Sequence, residues 1–219
     1  MTRRTVDLVV VSGGTSEPSS TRMLADRIAD RAVERAAEQG VAVRVRVIDL
    51  RPLAAELASA QVTGFPAGAL ADAVRAVAGA DGLIVATPVY KAGVSGLVKS
   101  FVDVLDNDAV IATPTVLAAT AGTPRHSLVA DEQLRSLFAY LRALSVPTSV
   151  FAAGEDWNDA SLGDRIDRAA NELVVLLAAD VRRGMRGGAY NRTFGSTAAG
   201  SDEIVLDTDL MRLATGGAA

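Results

Sequence analysis

Residues 6–21 read VDLVVVSGGTSEPSST, a valine-rich apolar run that stops on two glycines and gives way to a turn dense in hydroxyls. A continuous apolar run of this length, closed by glycine, marks a central strand of a parallel sheet, where both faces are covered. From Thr21 the apolar residues Met23, Leu24, Ile28, Ala32 and Ala36 recur at helical spacing, and Gly40 supplies a stop. The opening unit is therefore strand, loop, helix. The rest of the chain repeats it. Val41, Val43, Val45 and Val47 alternate with Arg44 and Arg46, as in a half-exposed edge strand. A loop containing Pro52 and Pro66 leads to a short helix over 68–79, and GLIVAT at 82–87 is a second central strand closed by Pro88. Helical spacing returns from Ser95 to Leu105, with Leu97, Val98, Phe101, Val102 and Leu105 on one face. PTVLAAT at 114–120 is a third buried strand, followed by a helix over 127–144, a strand over 147–152 and a last helix over 161–183.

Five β–α repeats predict a three-layer, doubly wound α/β fold with a five-stranded parallel sheet. One domain over residues 1–184 accounts for this pattern, with no internal repeat or low-complexity block. Beyond it, five glycines punctuate 184–200 without helical periodicity, so 185–219 is expected to be a C-terminal tail, either flexible or an arm that orders on a partner subunit.

Composition excludes several kinds of chemistry. The 219 residues contain no cysteine and one histidine, so thiolate catalysis, Cys-ligated metals and His-rich metal sites have no material. A net charge of −4 argues against a nucleic-acid partner. Arg3 and Arg4 precede the first apolar run, but that run is too short for a secretory leader and Asp7 interrupts it. No later stretch approaches the roughly 20 apolar residues of a membrane span. The expectation is a cytoplasmic protein that binds neither nucleic acid nor membrane and holds no metal.

In a doubly wound sheet, ligands bind beyond the carboxyl ends of the strands where the strand order reverses. With the order 2-1-3-4-5, the loops after Val11, Thr87 and Thr120 converge there. The first, Ser12 to Thr21, ends with Ser19, Ser20 and Thr21 at a helix N-terminus, where free N–H groups and the helix dipole favour an anion. It lacks the lysine of a GxxxxGK[ST] P-loop and is not GxGxxG, so a terminal phosphate monoester suits it better than a triphosphate or dinucleotide. The bland alternative is a serine N-cap in an ordinary loop.

The second loop and its helix carry Thr87-Pro88-Val89-Tyr90 followed by Gly96, Lys99 and Asp103. This resembles the T-P-x-Y…G-x-x-K-x-x-x-D stretch of the NADPH-dependent FMN reductases. Ser19-Ser20-Thr21 is similar to that family's S-x-T phosphate signature, and Ala119-Thr120-Ala121-Gly122-Thr123-Pro124-Arg125-His126 to its A-T-G-G-x-x-x-H loop, with Ala121 replacing the first glycine. The likeness covers roughly residues 6–180 and implies a flavodoxin-like fold. By resemblance, Ser12, Ser19, Ser20 and Thr21 hold the FMN phosphate, while Pro88, Val89, Tyr90 and Lys91 with Thr120, Ala121, Gly122 and Thr123 line the isoalloxazine. The extra Cβ of Ala121 puts a displaced flavin edge in question.

The same resemblance implies FMN and NADPH as cofactors, a homodimer or tetramer with the Gly96 helix at an interface, and a flavin-dependent monooxygenase as recipient of reduced FMN. Hydride transfer from nicotinamide C4 to flavin N5 needs no protein acid or base, in keeping with the absence of a triad or carboxylate dyad. No catalytic side chain is therefore assigned. Lys91 and Arg125 are candidates for the nicotinamide cofactor's phosphates. Lys99 and Asp103 are spaced for a helix-face ion pair; His126, opening a helix beside the third loop, is expected to fix that loop by a hydrogen bond, and Trp157 to pack at the end of the fifth strand or on a neighbouring subunit. Three alternatives stay open: an FMN-bound reductase of quinones, azo dyes or metal oxyanions; a monomeric flavodoxin-type electron carrier; and a fold that has lost its ligand.

Overall fold

The computed structural model describes residues 5–186. The parallel strands β1 (Thr5–Ser12), β2 (Ala42–Asp49), β3 (Gly82–Tyr90) and β5 (Pro114–Thr120) form the body of the sheet, and a two-residue β4 (Gly93–Val94) folds back antiparallel on β3. The order is β2-β1-β3-β5, then β6 (Leu144–Ser145) and β7 (Val150–Ala152), which share the last position by pairing with different parts of β5. Counting that shared position as one strand gives 2-1-3-4-5, the flavodoxin-like order with its reversal between β1 and β3.

The central strands bury both faces, as their valine runs require. Val9 and Val11 of β1, Leu83 and Val85 of β3 and Leu117 of β5 point into one core layer. That layer is covered by α2 (Ala54–Thr63), α3 (Gly68–Gly79), α4 (Gly96–Asp103) and α5 (Arg135–Tyr140). The alternate residues Leu8, Val10, Ile84, Ala86, Val116 and Ala118 point into a second layer, covered by α1 (Ser20–Glu38) and α6 (Ala160–Ala178). The two-residue period of a strand thus feeds both layers from each strand. β2 lies at the edge, as its alternation predicts, although Val45 is exposed along with Arg44 and Arg46.

Four expectations are corrected. Of the strand predicted over 147–152 only β7 (Val150–Ala152) joins the sheet, because Pro147 has no N–H to donate and Thr148 sends both its N–H and its hydroxyl to Glu172, each at 2.8 Å, while the two-residue β6 (Leu144–Ser145) lies before it. The helix expected over 127–144 is a π-helical turn (Ala130–Leu134) running into α5, and it stops where Arg142 turns left-handed at φ 58°. The last helix breaks at Asp180, φ 52°, and resumes as α7 (Val181–Arg186). The stretch expected as a loop contains α2, signalled by Pro52 in the 3-10 turn (Arg51–Leu53) that leads into it and by the buried Leu53, Leu57 and Ala60 at helical spacing. The predicted tail lies outside the described residues beyond Arg186. No helix among the described residues is long and apolar enough to cross a membrane.

Candidate functional site

The loops after β1, β3 and β5 meet at the carboxyl edge of the sheet, and close contacts fix the first of them. Gly13 donates its N–H to Ala86 O at 2.8 Å, and a Cβ there would fall 2.3 Å from Val98 Cγ2 of α4. A Cβ on Gly14 would fall 1.9 Å from Ser19 Oγ. Glycine at both positions lets the loop fold flat against α4 and over the start of α1. Ser19 is the N-cap of α1, its Oγ accepting from Arg22 N at 3.2 Å. The cap engages that serine's oxygen as an acceptor and leaves its hydroxyl proton to donate.

The backbone around it is less ordinary. Among the described residues, the N–H groups of Thr15, Ser16, Ser20 and Thr21 have no protein acceptor. Thr15, Ser16 and Ser20 are exposed. This cluster of donors at a helix N-terminus suits a dianionic monoester, with the compact Gly13-Gly14 turn leaving room for it. The donor set thus fits the phosphate end of FMN.

The remaining predicted residues divide by role. Ser12 is buried, its Oγ 3.5 Å from Gly14 N and turned toward the loop. Thr21 faces inward, its Oγ1 2.7 Å from Thr120 Oγ1. Both hydroxyls of that pair are buried, so they tie the first and third loops together and leave only the Thr21 backbone to a ligand. Pro88 is buried, Val89 half-buried, and Tyr90 and Lys91 exposed. Tyr90 Oη lies 2.5 Å from Thr15 Oγ1 and bridges the first and second loops. Ala121 donates its N–H to Ala152 O at 3.1 Å and packs with Val89 on a small cluster around Phe151, while Gly122 and Thr123 are exposed. The Ala121 side chain turns into that cluster.

A cleft of about 370 Å³ opens beside the first loop, between Ser16, Pro18, Ser19, Arg22, Asp49 and Arg51. Of the twelve predicted residues only Ser19 lines it. The Tyr90–Thr15 bridge spans the other side of the loop. Arg22 bonds Asp26 at 2.8 Å and Asp49 at 2.5 Å; burial works against its charge, but these carboxylates outweigh that and raise its pKa. Arg51 pairs with Glu17 at 2.7 Å, so the cleft holds cations that are already matched.

Lys99 and Asp103 form the expected helix-face pair at 2.5 Å. Lys91 and Arg125 are exposed at the rim of the site. His126 sits in a 3-10 turn (Pro124–His126) and makes no hydrogen bond among the described residues, so it does not fix the loop in the way expected. Trp157 packs on the α1–α6 layer with the Arg27 guanidinium 5.6 Å from its ring centroid. Two features escaped sequence reading: the Tyr90–Thr15 bridge, for which no local signal exists, and Gln133, whose side chain reaches the β3–β4 turn from the π-helical turn.

The chain is similar to several known proteins. The family model of the NADPH-dependent FMN reductases matches residues 6–158. The NADH-dependent FMN reductase SfnE of Pseudomonas putida is 38% identical over 179 residues, which is 80% of this chain and 94% of that protein. The FMN reductase (NADPH) of Pseudomonas aeruginosa is 38% identical over 172 residues, 78% of this chain and 90% of that protein. Among solved structures, an oxidoreductase from Corynebacterium diphtheriae superposes with a TM-score of 0.77 at 45% identity, covering 82% of this chain and 99% of its own.

Proposed function

Because the chain belongs to the NADPH-dependent FMN reductase family, and is therefore an oxidoreductase working with FMN and a reduced nicotinamide cofactor, we propose that it reduces FMN with NADPH and hands the product to a flavin-dependent monooxygenase. The observation that carries this reading is the mouth of α1. Ser16, Ser20 and Thr21 present N–H groups with no acceptor among the described residues, over a Gly13-Gly14 turn too tight for any side chain. In this reading those groups and the Ser19 hydroxyl hold the phosphate, with Ser12 buttressing Gly14 from below. Pro88 to Lys91 on one side and Thr120 to Thr123 on the other border the ring.

The chemistry that FMN supplies when bound is acceptance of a hydride from the reduced nicotinamide, which asks the protein for alignment rather than for an acid or base. Tyr90 screens one side of the site from water while it remains bonded to Thr15. Lys91 and Arg125 at the rim are the cations we assign to the nicotinamide cofactor's phosphates. We also read the protein as a homodimer or tetramer, because Val62 and Phe65 stand 89% and 75% exposed beside the α2–α4 face.

The test is a steady-state assay of NADPH and NADH oxidation, each with and without added FMN. The expected result is oxidation that requires added FMN and prefers NADPH. In the Tyr90→Phe variant, loss of the Thr15 bond is expected to speed FMN entry while NADPH oxidation continues. Turnover without added FMN by a protein purified yellow would refute FMN as a released product. No turnover with either nicotinamide would refute the enzyme reading.

A further inference from the structure

We propose that Gln133 is the positioning residue for the Tyr90–Lys91 side of the flavin site, because its carboxamide splints a turn whose backbone the occupying residues disfavour. The proposal rests on the reading that Pro88 to Lys91 border the ring.

Strands β3 and β4 pair Val89 with Val94 and Tyr90 with Gly93, which leaves Lys91 and Ala92 as the two residues of the reversal. Both are left-handed, at φ 51° and 63°. Two-residue hairpins of this handedness favour Asn-Gly or Gly-Gly at their centre, since a Cβ crowds the backbone there. Lys-Ala is a poor choice, and β4 is only two residues long, so the ladder adds little to hold the turn.

The support comes from elsewhere in the chain. Gln133 Nε2 donates to Ala92 O at 3.0 Å, and Gln133 Oε1 accepts from Val94 N at 3.2 Å. One planar side chain thus spans the turn, replacing the bonds that a longer hairpin would make. The approach is close at Gly93, where a Cβ would lie 3.3 Å from Gln133 Oε1 and the carboxamide would have to give by a few tenths of an ångström. Gln133 is delivered by the π-helical turn Ala130–Leu134, whose end residues are both buried and anchor it in the core. Turns of this kind, with one residue more than an α-helix allows, recur where a side chain must be redirected. On the far side Tyr90 is bonded to Thr15, so the hairpin is held between the first loop and the π turn.

Without the splint the turn is expected to sample other conformations, and ligand affinity falls by the fraction of time the competent one is lost. For Gln133→Ala, Kd and KM for FMN should rise about tenfold with kcat within about twofold of the parent, as loss of binding geometry alone requires. The Val94 amide, measured by hydrogen exchange in ligand-free protein, should exchange at least about fivefold faster as its acceptor is lost. Adding Ala92→Gly to Gln133→Ala relieves the left-handed strain directly and should bring Kd back to within about threefold of the parent. Should Gln133→Ala not fold, Gln133→Glu keeps the shape and the acceptor for Val94 but loses the donor to Ala92, and a rise of about threefold is expected.

Unchanged Val94 exchange overturns the splint, whatever FMN does. Faster exchange with unaltered FMN affinity overturns the proposal by showing that the ring does not depend on this hairpin, and with it the site reading. A rise in Kd that Ala92→Gly fails to reverse, or a fall in kcat with KM unchanged, shows that Gln133 acts by another route and also overturns it.

Discussion

Gly14→Ala is the substitution that separates a phosphate cradle from an ordinary capped helix. The added Cβ would sit 1.9 Å from Ser19 Oγ and 3.0 Å from Ser19 Cβ, where carbon and oxygen atoms ordinarily keep about 3.5 Å apart. Ser19 must rotate away, which breaks its cap on Arg22 N and costs about 1 kcal/mol. For a chain of this size that lowers Tm by roughly 2–4 °C. Rotation also withdraws the hydroxyl from the anion position. A hydrogen bond to a charged group contributes about 1.5–3 kcal/mol, so FMN affinity should fall roughly 10- to 100-fold.

The assay is fluorescence titration of the apoprotein with FMN and with riboflavin, which lacks the phosphate, alongside thermal melting. FMN affinity should drop toward that of riboflavin, with riboflavin itself little changed. Ser19→Ala should lose similar FMN affinity without the clash. Because it removes the Oγ that the new methyl meets, the double variant should be less damaged than the sum of the two singles. Equal losses for FMN and riboflavin, or a lowered Tm with FMN affinity intact, would refute the phosphate reading and leave Ser19 as a cap alone.

Two other outcomes follow from the geometry. Thr21→Val or Thr120→Val alone strands its partner's buried hydroxyl and should cost about 1–3 kcal/mol in urea unfolding, whereas the double variant should be nearly neutral; additive losses would show that the pair is not mutual. Arg31, bonded to Asp167, holds that carboxyl below its ordinary value, and the Ser161 backbone N–H does the same for Asp159 at the α6 N-cap. Both groups stabilise the fold above about pH 4, the unfolded carboxyl range, and that contribution is lost as the pH falls through their lowered values. Tm should therefore decline with acidification below about pH 4, and less steeply in Asp167→Asn; an unchanged acid limb in that variant would refute the assignment.

The α/β alternation was legible because each strand is a local apolar run and each helix a local period. Val6 to Val11 and the run at 82–87 bury both faces wherever they sit, so a parallel sheet with covered faces follows without knowing any neighbour. The unpaired N–H groups of the first loop were legible for a similar reason, since they are a property of local backbone at a helix start. The ends of the later elements were not. Leu144 pairs with Pro114 in β6 because the chain reverses at Arg142, and Thr148 leaves the ladder because Glu172 is there to receive it. Neither partner is visible from its own window of sequence.

The same boundary runs through the site. The amino-acid sequence by itself determined which loops converge and what chemistry their backbones offer. Only the tertiary structure decided which side chains remain for a ligand, turning Thr21 onto Thr120 across 99 residues, Tyr90 onto Thr15 across 75, and Gln133 onto the β3–β4 turn across 41. Hydrogen bonds between residues that far apart carry no periodicity of their own. They exist because the sheet and its helices, once packed, bring those atoms within reach, and only for the Thr21–Thr120 pair does the packing also exclude water.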